Sequence, residues 1–99
     1  MSDLDTFYKA YVECACWTEH IEACNRDELR EMLTDCIHFM EEARNLMKGL
    51  DLSQCGHDFW LTRNGHGAGF WDRGYKEPIA KKLTELCKKA GEYYVFGDD

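Results

Sequence analysis

Apolar positions near the N-terminus recur at helical spacing: Leu4, Phe7, Tyr8, Tyr11, Ala15 and Thr18 fall on one face of a 3.6-residue turn. Ser2 followed by Asp5 resembles a capping box, so the spacing predicts a first helix from about Asp3 to Cys24. Asn25 is suited to end that helix and to cap the next, with Glu28 three residues on. Leu29, Met32, Leu33, Cys36, Ile37, Met40, Ala43, Met47 and Leu50 then repeat at the same period, and Gly49 stands where a helix C-cap belongs. This second helix is expected to bring Leu33, Ile37 and Met40 into one core with Leu83 and Leu86.

After Leu50 the period changes. Phe59 and Leu61 alternate with Asp58, Trp60 and Thr62, the pattern of a strand. Asn64-Gly65 is the dipeptide favoured in a two-residue type I′ hairpin turn, whose central residues both need positive φ. In that register Phe59 faces Phe70, Leu61 faces Ala68, Trp60 covers Gly69 and His57 comes opposite Asp72; a four-residue loop from Asn64 to Gly67 would instead pair Trp60 with Trp71. Pro78, the only proline, suits the first turn of a third helix with Ile79, Leu83, Leu86, Cys87 and Ala90 on its apolar face. Lys81, Lys82, Lys88 and Lys89 crowd the other side and the C-terminal end, where cations suit the helix dipole, and Gly91 stops the helix. Tyr93 to Phe96 reads as a short aromatic strand. The order ααββαβ predicts one α+β domain over residues 1–99, three helices packed on a small, mainly antiparallel sheet.

Charge narrows the partners. Nineteen acidic against twelve basic residues leave a formal charge of −7, which disfavours direct contact with nucleic acid and suits a basic protein surface, including one that normally holds nucleic acid. No apolar run approaches the ~20 residues that span a bilayer. The opening MSDLDTFYKAY has neither a basic n-region nor an apolar h-region, so a cytoplasmic protein is expected. In that compartment Cys14, Cys16, Cys24, Cys36, Cys55 and Cys87 are expected as reduced thiols, mostly acting as small hydrophobes in helices.

Candidate chemistry concentrates between Gly56 and Gly74, GHDFWLTRNGHGAGFWDRG, where aromatic rings, ionisable groups and glycines mix. Trp60, Arg63, His66, Trp71 and Arg73 form the candidate binding surface, since Trp and Arg bury much area with few rotors and can also stack a base and clamp a phosphate. His57, Asp58 and Asp72 are the candidate acid/base or ligand contacts, because a carboxylate holds a neighbouring His in one tautomer. No nucleophile signature accompanies them, so no catalytic residue is assigned and the chain points away from an enzyme. Gly65-x-Gly67-x-Gly69 lies inside the predicted hairpin and does not open a helix, unlike a dinucleotide fingerprint. Cys16, His20 and Cys24 recur every fourth residue, with Cys55 or His57 as a conceivable fourth group, but without a CxxC knuckle no metal and no cofactor are expected.

The run HDFWLTRNGHGAGFWDRG, with Leu52-Ser53-Gln54 before it and Tyr93 to Asp99 at the end, resembles a family of small bacteriophage proteins of unassigned function. AYVECACW near the N-terminus is similar to that family's opening. The resemblance covers the C-terminal half closely and the first helix loosely; the long run is specific as a family marker and carries no established activity. It implies an accessory protein, in a bacterial host's cytoplasm, that binds and inhibits or redirects a host protein, with nucleic-acid-dependent defence components among the candidates. The alternatives are a module sequestering a small, nucleotide-like ligand between Trp60, Trp71 and the arginines, and a small hydrolase built on His57, His66 and Asp72.

Overall fold

A computed structural model describes residues 2–66, 70 and 75–97 and consists of four helices: α1 (Asp3–Glu19), α2 (Arg26–Ala43), α3 (Leu52–Arg63) and α4 (Ile79–Ala90). No strand occurs among the described residues, so the α+β expectation, its antiparallel sheet and its β-hairpin are all overturned. The segment expected to begin that hairpin is α3, which packs chiefly along α1 and touches α4. No helix among the described residues is long and apolar enough to cross a membrane.

The first three helices start on a side-chain cap. Ser2 Oγ accepts the Asp5 N–H at 3.1 Å. Asn25 and Glu28 form a complete capping box, each side chain accepting the other's backbone N–H at 2.8 and 2.9 Å. Asp51 caps α3 by accepting from Ser53 and Gln54. Pro78 precedes α4 without a side-chain cap, and Gly91 ends that helix at φ +80°.

The first helix ends earlier than its apolar spacing predicts. His20 turns into the left-handed region at φ 57°, and its N–H and that of Ile21 both return to the Cys16 carbonyl. The Asn64-Gly65 pair also ends a helix. His66 N–H reaches the Leu61 carbonyl and Gly65 N–H reaches that of Thr62, a Schellman arrangement in which Gly65 takes φ +73°. The positive φ expected of Gly65 is therefore present, at a helix C-terminus. The pairings of Leu61 with Ala68, Trp60 with Gly69 or Trp71, and His57 with Asp72 each involve a partner outside the described residues.

The core is an aromatic stack. Phe39 lies 4.1 Å from Phe59 between ring centroids, with Phe7, Tyr11 and Phe70 stacked around that pair and Trp60 edge-on to Tyr11. Helix α2 consequently presents Met32, Cys36, Phe39 and Ala43 inward. Ile37, expected in the core, is 37% exposed; Leu33 is half-buried outside the core, Met40 and Leu86 pack against its edge, and Leu83 is fully buried. Phe39 displaces the predicted stripe because its ring fills the space facing Phe59.

Residues 91–97 run without regular structure, and Tyr93 to Phe96 is not a strand. Their backbone donors go to side chains: Tyr93 N–H to Asn64 Oδ1, Phe96 N–H to Glu28 Oε2 and Gly97 N–H to Glu28 Oε1. The C-terminal segment is thereby tied to the α2 N-terminus.

Candidate functional site

Most polar groups of the Gly56–Gly74 run that the structure describes are turned inward. Arg63 is buried at the end of α3 and reaches all three other helices. Its guanidinium donates to Asp35 Oδ2 at 2.8 Å on α2, to the Tyr11 hydroxyl at 2.9 Å on α1, and to the carbonyls of Ala90 and Gly91 at the end of α4. Its carbon also lies over the Phe59 and Tyr93 rings. Burial opposes the charge on Arg63, but the Tyr11 oxygen and the Asp35 carboxylate outweigh it and hold the guanidinium protonated. Burial likewise pushes the Tyr11 hydroxyl up, so it stays neutral.

Asp58 is fully buried; its two oxygens accept from Gln54 Nε2 at 3.0 Å and from the Tyr75 hydroxyl at 2.9 Å. Trp60 is fully buried, its indole N–H donating to Thr18 Oγ1 at 2.7 Å. Asn64 spans from the Trp60 carbonyl to the Tyr93 N–H. Of the proposed binding and acid/base residues, Trp60, Arg63 and Asp58 therefore hold the fold, His57 is half-buried, and His66 is exposed, 3.9 Å from Glu19. Trp71, Asp72 and Arg73 lie outside the described residues.

The exposed apolar groups lie elsewhere. Trp17, in the last turn of α1, is 75% exposed; Tyr94 and Phe96, on the C-terminal segment, are 47% and 81% exposed. Rings so placed lose hydrophobic stabilisation unless something covers them. Phe96 and Gly97 border a notch of about 320 Å³ against Ile21, Glu22 and Ala23, the loop that follows α1. A side chain at Gly97, where φ is +82°, would press on the Ala23 carbonyl at 2.9 Å, so the segment lies flat against this loop.

Carboxylates neighbour Tyr94 and Phe96. Tyr94 donates its hydroxyl to Glu92 at 2.6 Å, which raises its pKa, and the Glu19 charge acts in the same direction. Glu22 lines the notch. In the sequence no Lys or Arg occurs between Lys9 and Arg26 or after Lys89, while Glu19, Glu22 and Glu92 fall in those two stretches. The end of the molecule formed by the α1 C-terminus and the C-terminal segment thus joins exposed aromatic rings to carboxylates without a Lys or Arg among those residues.

A second hollow, of about 640 Å³, lies between the start of α1 and the end of α2, floored by Leu4, Ile37, Met40, Met47, Leu50 and Leu52. Its rim mixes Asp3 and Glu41 with Arg44 and Lys48, so it carries no net sign. No group of three or more His, Cys, Asp or Glu side chains suited to hold a metal occurs among the described residues. Cys16 and Cys24 come together at 3.8 Å between sulfurs. No family model, no curated protein and no solved structure matches the chain.

Proposed function

We propose that this chain is a non-enzymatic accessory protein that binds a host protein and occupies a basic, nucleic-acid-binding surface on it. The observation that carries this reading is that exposed Tyr94 and Phe96 stand with Glu19, Glu22 and Glu92 beside the end of α1, whose last turn also bears exposed Trp17. Aromatic rings receive Arg and Lys side chains by cation–π contact, and carboxylates pair with the same cations. A phosphate-binding surface offers such cations in abundance, so an acidic protein of this kind competes with nucleic acid for them. Aromatic anchors on a fixed scaffold add apolar burial at low entropic cost. The resemblance to small phage proteins fits a partner in the bacterial host, a nucleic-acid-dependent defence component among the candidates.

The test is a comparison of two variants of the purified, tagged chain in host lysate. Wild type should retain a basic host protein whose purified form loses bound nucleic acid when the chain is added, with affinity falling as salt rises. Tyr94→Ala plus Phe96→Ala should lose that partner while keeping the helical circular-dichroism spectrum. Replacing Lys81, Lys82, Lys88 and Lys89 by Gln should leave it bound. Retention of the partner by the aromatic variant, or co-occupancy with nucleic acid, rules the reading out.

A small-ligand carrier has one observation in its favour. The Leu- and Met-floored hollow is of a size that ordinary ligands fill. The ligand site expected between Trp60, Trp71 and the arginines is not available for it, because the Trp60 ring is fully buried and Arg63 is engaged by all three other helices. An apolar ligand bound by wild type and lost in Met40→Glu would support this reading; retention of the ligand by Met40→Glu would remove it.

A further inference from the structure

Cys16 lies in the last turns of α1 and Cys24 just before the Asn25 cap of α2, and their sulfurs stand 3.8 Å apart. Both ends of the intervening loop are anchored. At Cys16 the backbone carbonyl takes the N–H groups of His20 and Ile21, which folds the chain back on itself at the left-handed His20. Beside Cys24, Asn25 closes the capping box with Glu28 and donates its side-chain amide to the Gly97 carbonyl at 3.3 Å. The approach of the two sulfurs is therefore a consequence of the backbone path. A disulfide needs about 2.05 Å between sulfurs, a closure of under ~2 Å shared between two side chains.

The two thiols differ in access. Cys16 is half-buried and reachable by a small oxidant, whereas Cys24 is only 5% exposed. Three other buried thiols are poorly suited to this chemistry. Burial pushes Cys36 and Cys87 far up and Cys55 up to about 11, which keeps them protonated.

We propose that Cys16 and Cys24 are a reversible redox site that closes an intrachain disulfide when the protein meets hydrogen peroxide. The Cys16 thiolate attacks one peroxide oxygen, the O–O bond breaks, and the displaced oxygen leaves as water after taking a proton; Cys16 becomes a sulfenic acid. The Cys24 thiolate then attacks the Cys16 sulfur and expels the hydroxyl as a second water. Two thiols and one peroxide give one disulfide and two waters, and two electrons pass from the sulfurs to the peroxide. A dithiol reverses the step by exchange. The bond fixes the loop bearing Ile21, Glu22 and Ala23, which forms one wall of the notch beneath Phe96.

The experiment exposes the reduced, full-length chain to hydrogen peroxide, blocks remaining thiols in denaturant, and maps fragments from a glutamate-specific protease. Cleavage at Glu19 and Glu22 separates the two cysteines unless they are linked. The expected result is a monomer lighter by two hydrogens, a linked fragment pair, four cysteines alkylated, and full reversal by dithiothreitol. Cys16→Ser should lose the linked pair entirely, and Cys24→Ser should stop at a dimedone-trappable sulfenic acid on Cys16. Circular dichroism matching wild type establishes that both variants fold, with Cys16→Ala as the alternative should Cys16→Ser fail. A link between other cysteines, a link between two chains, or over-oxidation of Cys16 with no link in wild type overturns the proposal.

Discussion

Gly56 shows how a single missing atom sets the fold. A Cβ there would fall on the Phe7 carbonyl oxygen and lie 3.1 Å from both the Ala10 Cβ and the Tyr11 N, so α3 crosses α1 backbone to backbone at this point. The obstruction is main chain and cannot rotate aside. Gly56→Ala should therefore cost at least about 1–3 kcal/mol, the scale of an overpacked core, even though Ala is the better helix former. A urea midpoint equal to that of wild type would show that the helices do not touch there. Phe39 and Ile37 make the complementary case on α2. Phe39→Ala should cost ~3–5 kcal/mol, as for a fully packed ring, and Ile37→Ala less than about 1 kcal/mol; equal losses would restore the stripe that spacing alone predicts. That spacing placed Ile37 inward because a 3.6-residue repeat tolerates two adjacent faces, and only the ring opposite, Phe59, decides between them.

At the scale of elements, legibility followed solvent exposure. Helices α1, α2 and α4 each keep a wet face, so their presence and the Asn25 capping box could be read directly, although the inward face of α2 and the end of α1 could not. Helix α3 buries Cys55, Gly56, Asp58, Phe59, Trp60, Leu61 and Arg63, which leaves no polar stripe, and the short alternation at Phe59 and Leu61 imitates a strand. The signal that identifies it is local: Asp51 just before the aromatic run is an N-cap residue, accepting the Ser53 and Gln54 N–H groups, and Gln54 reaches Asp58 one turn on. The docking of the C-terminal segment had no such signal, since Glu28 and Phe96 are 68 positions apart. Burial disfavours the Glu28 carboxylate, but N–H donors from Phe96, Asn25 and Gly97 outweigh it and hold its pKa below the ordinary 4.5. A lowered native pKa contributes stability above the unfolded value of 4.5 that is lost as pH falls through the native one. The protection factors of the Phe96 and Gly97 amides, taken against the intrinsic rate at each pH, should accordingly fall as the solution is acidified below about pH 4.5, whereas Glu28→Gln should show low protection there already at neutral pH. Unchanged protection of both amides in Glu28→Gln would mean that the segment is held by other contacts.

For the whole molecule, the charged and aromatic residues that look like a functional surface divide into two groups. Those of α3 converge on the centre, where Arg63 joins Tyr11 of α1, Asp35 of α2 and the last carbonyls of α4. Partners 52 and 28 residues away cannot be inferred from spacing, which is why Arg63 reads in the sequence as an exposed anchor. Among the described residues the exposed aromatic rings are instead Trp17, Tyr94 and Phe96, which lie outside the Gly56–Gly74 run. The most direct measurement of this division is the equilibrium unfolding of Arg63→Ala. Removing one member of a buried ion pair strands the other, here with Tyr11 and two helix-end carbonyls also deprived of their donor, so a loss of ~3–5 kcal/mol or failure to fold is predicted. An Arg63→Ala protein within about 0.5 kcal/mol of wild type, as a surface substitution would be, would contradict the account.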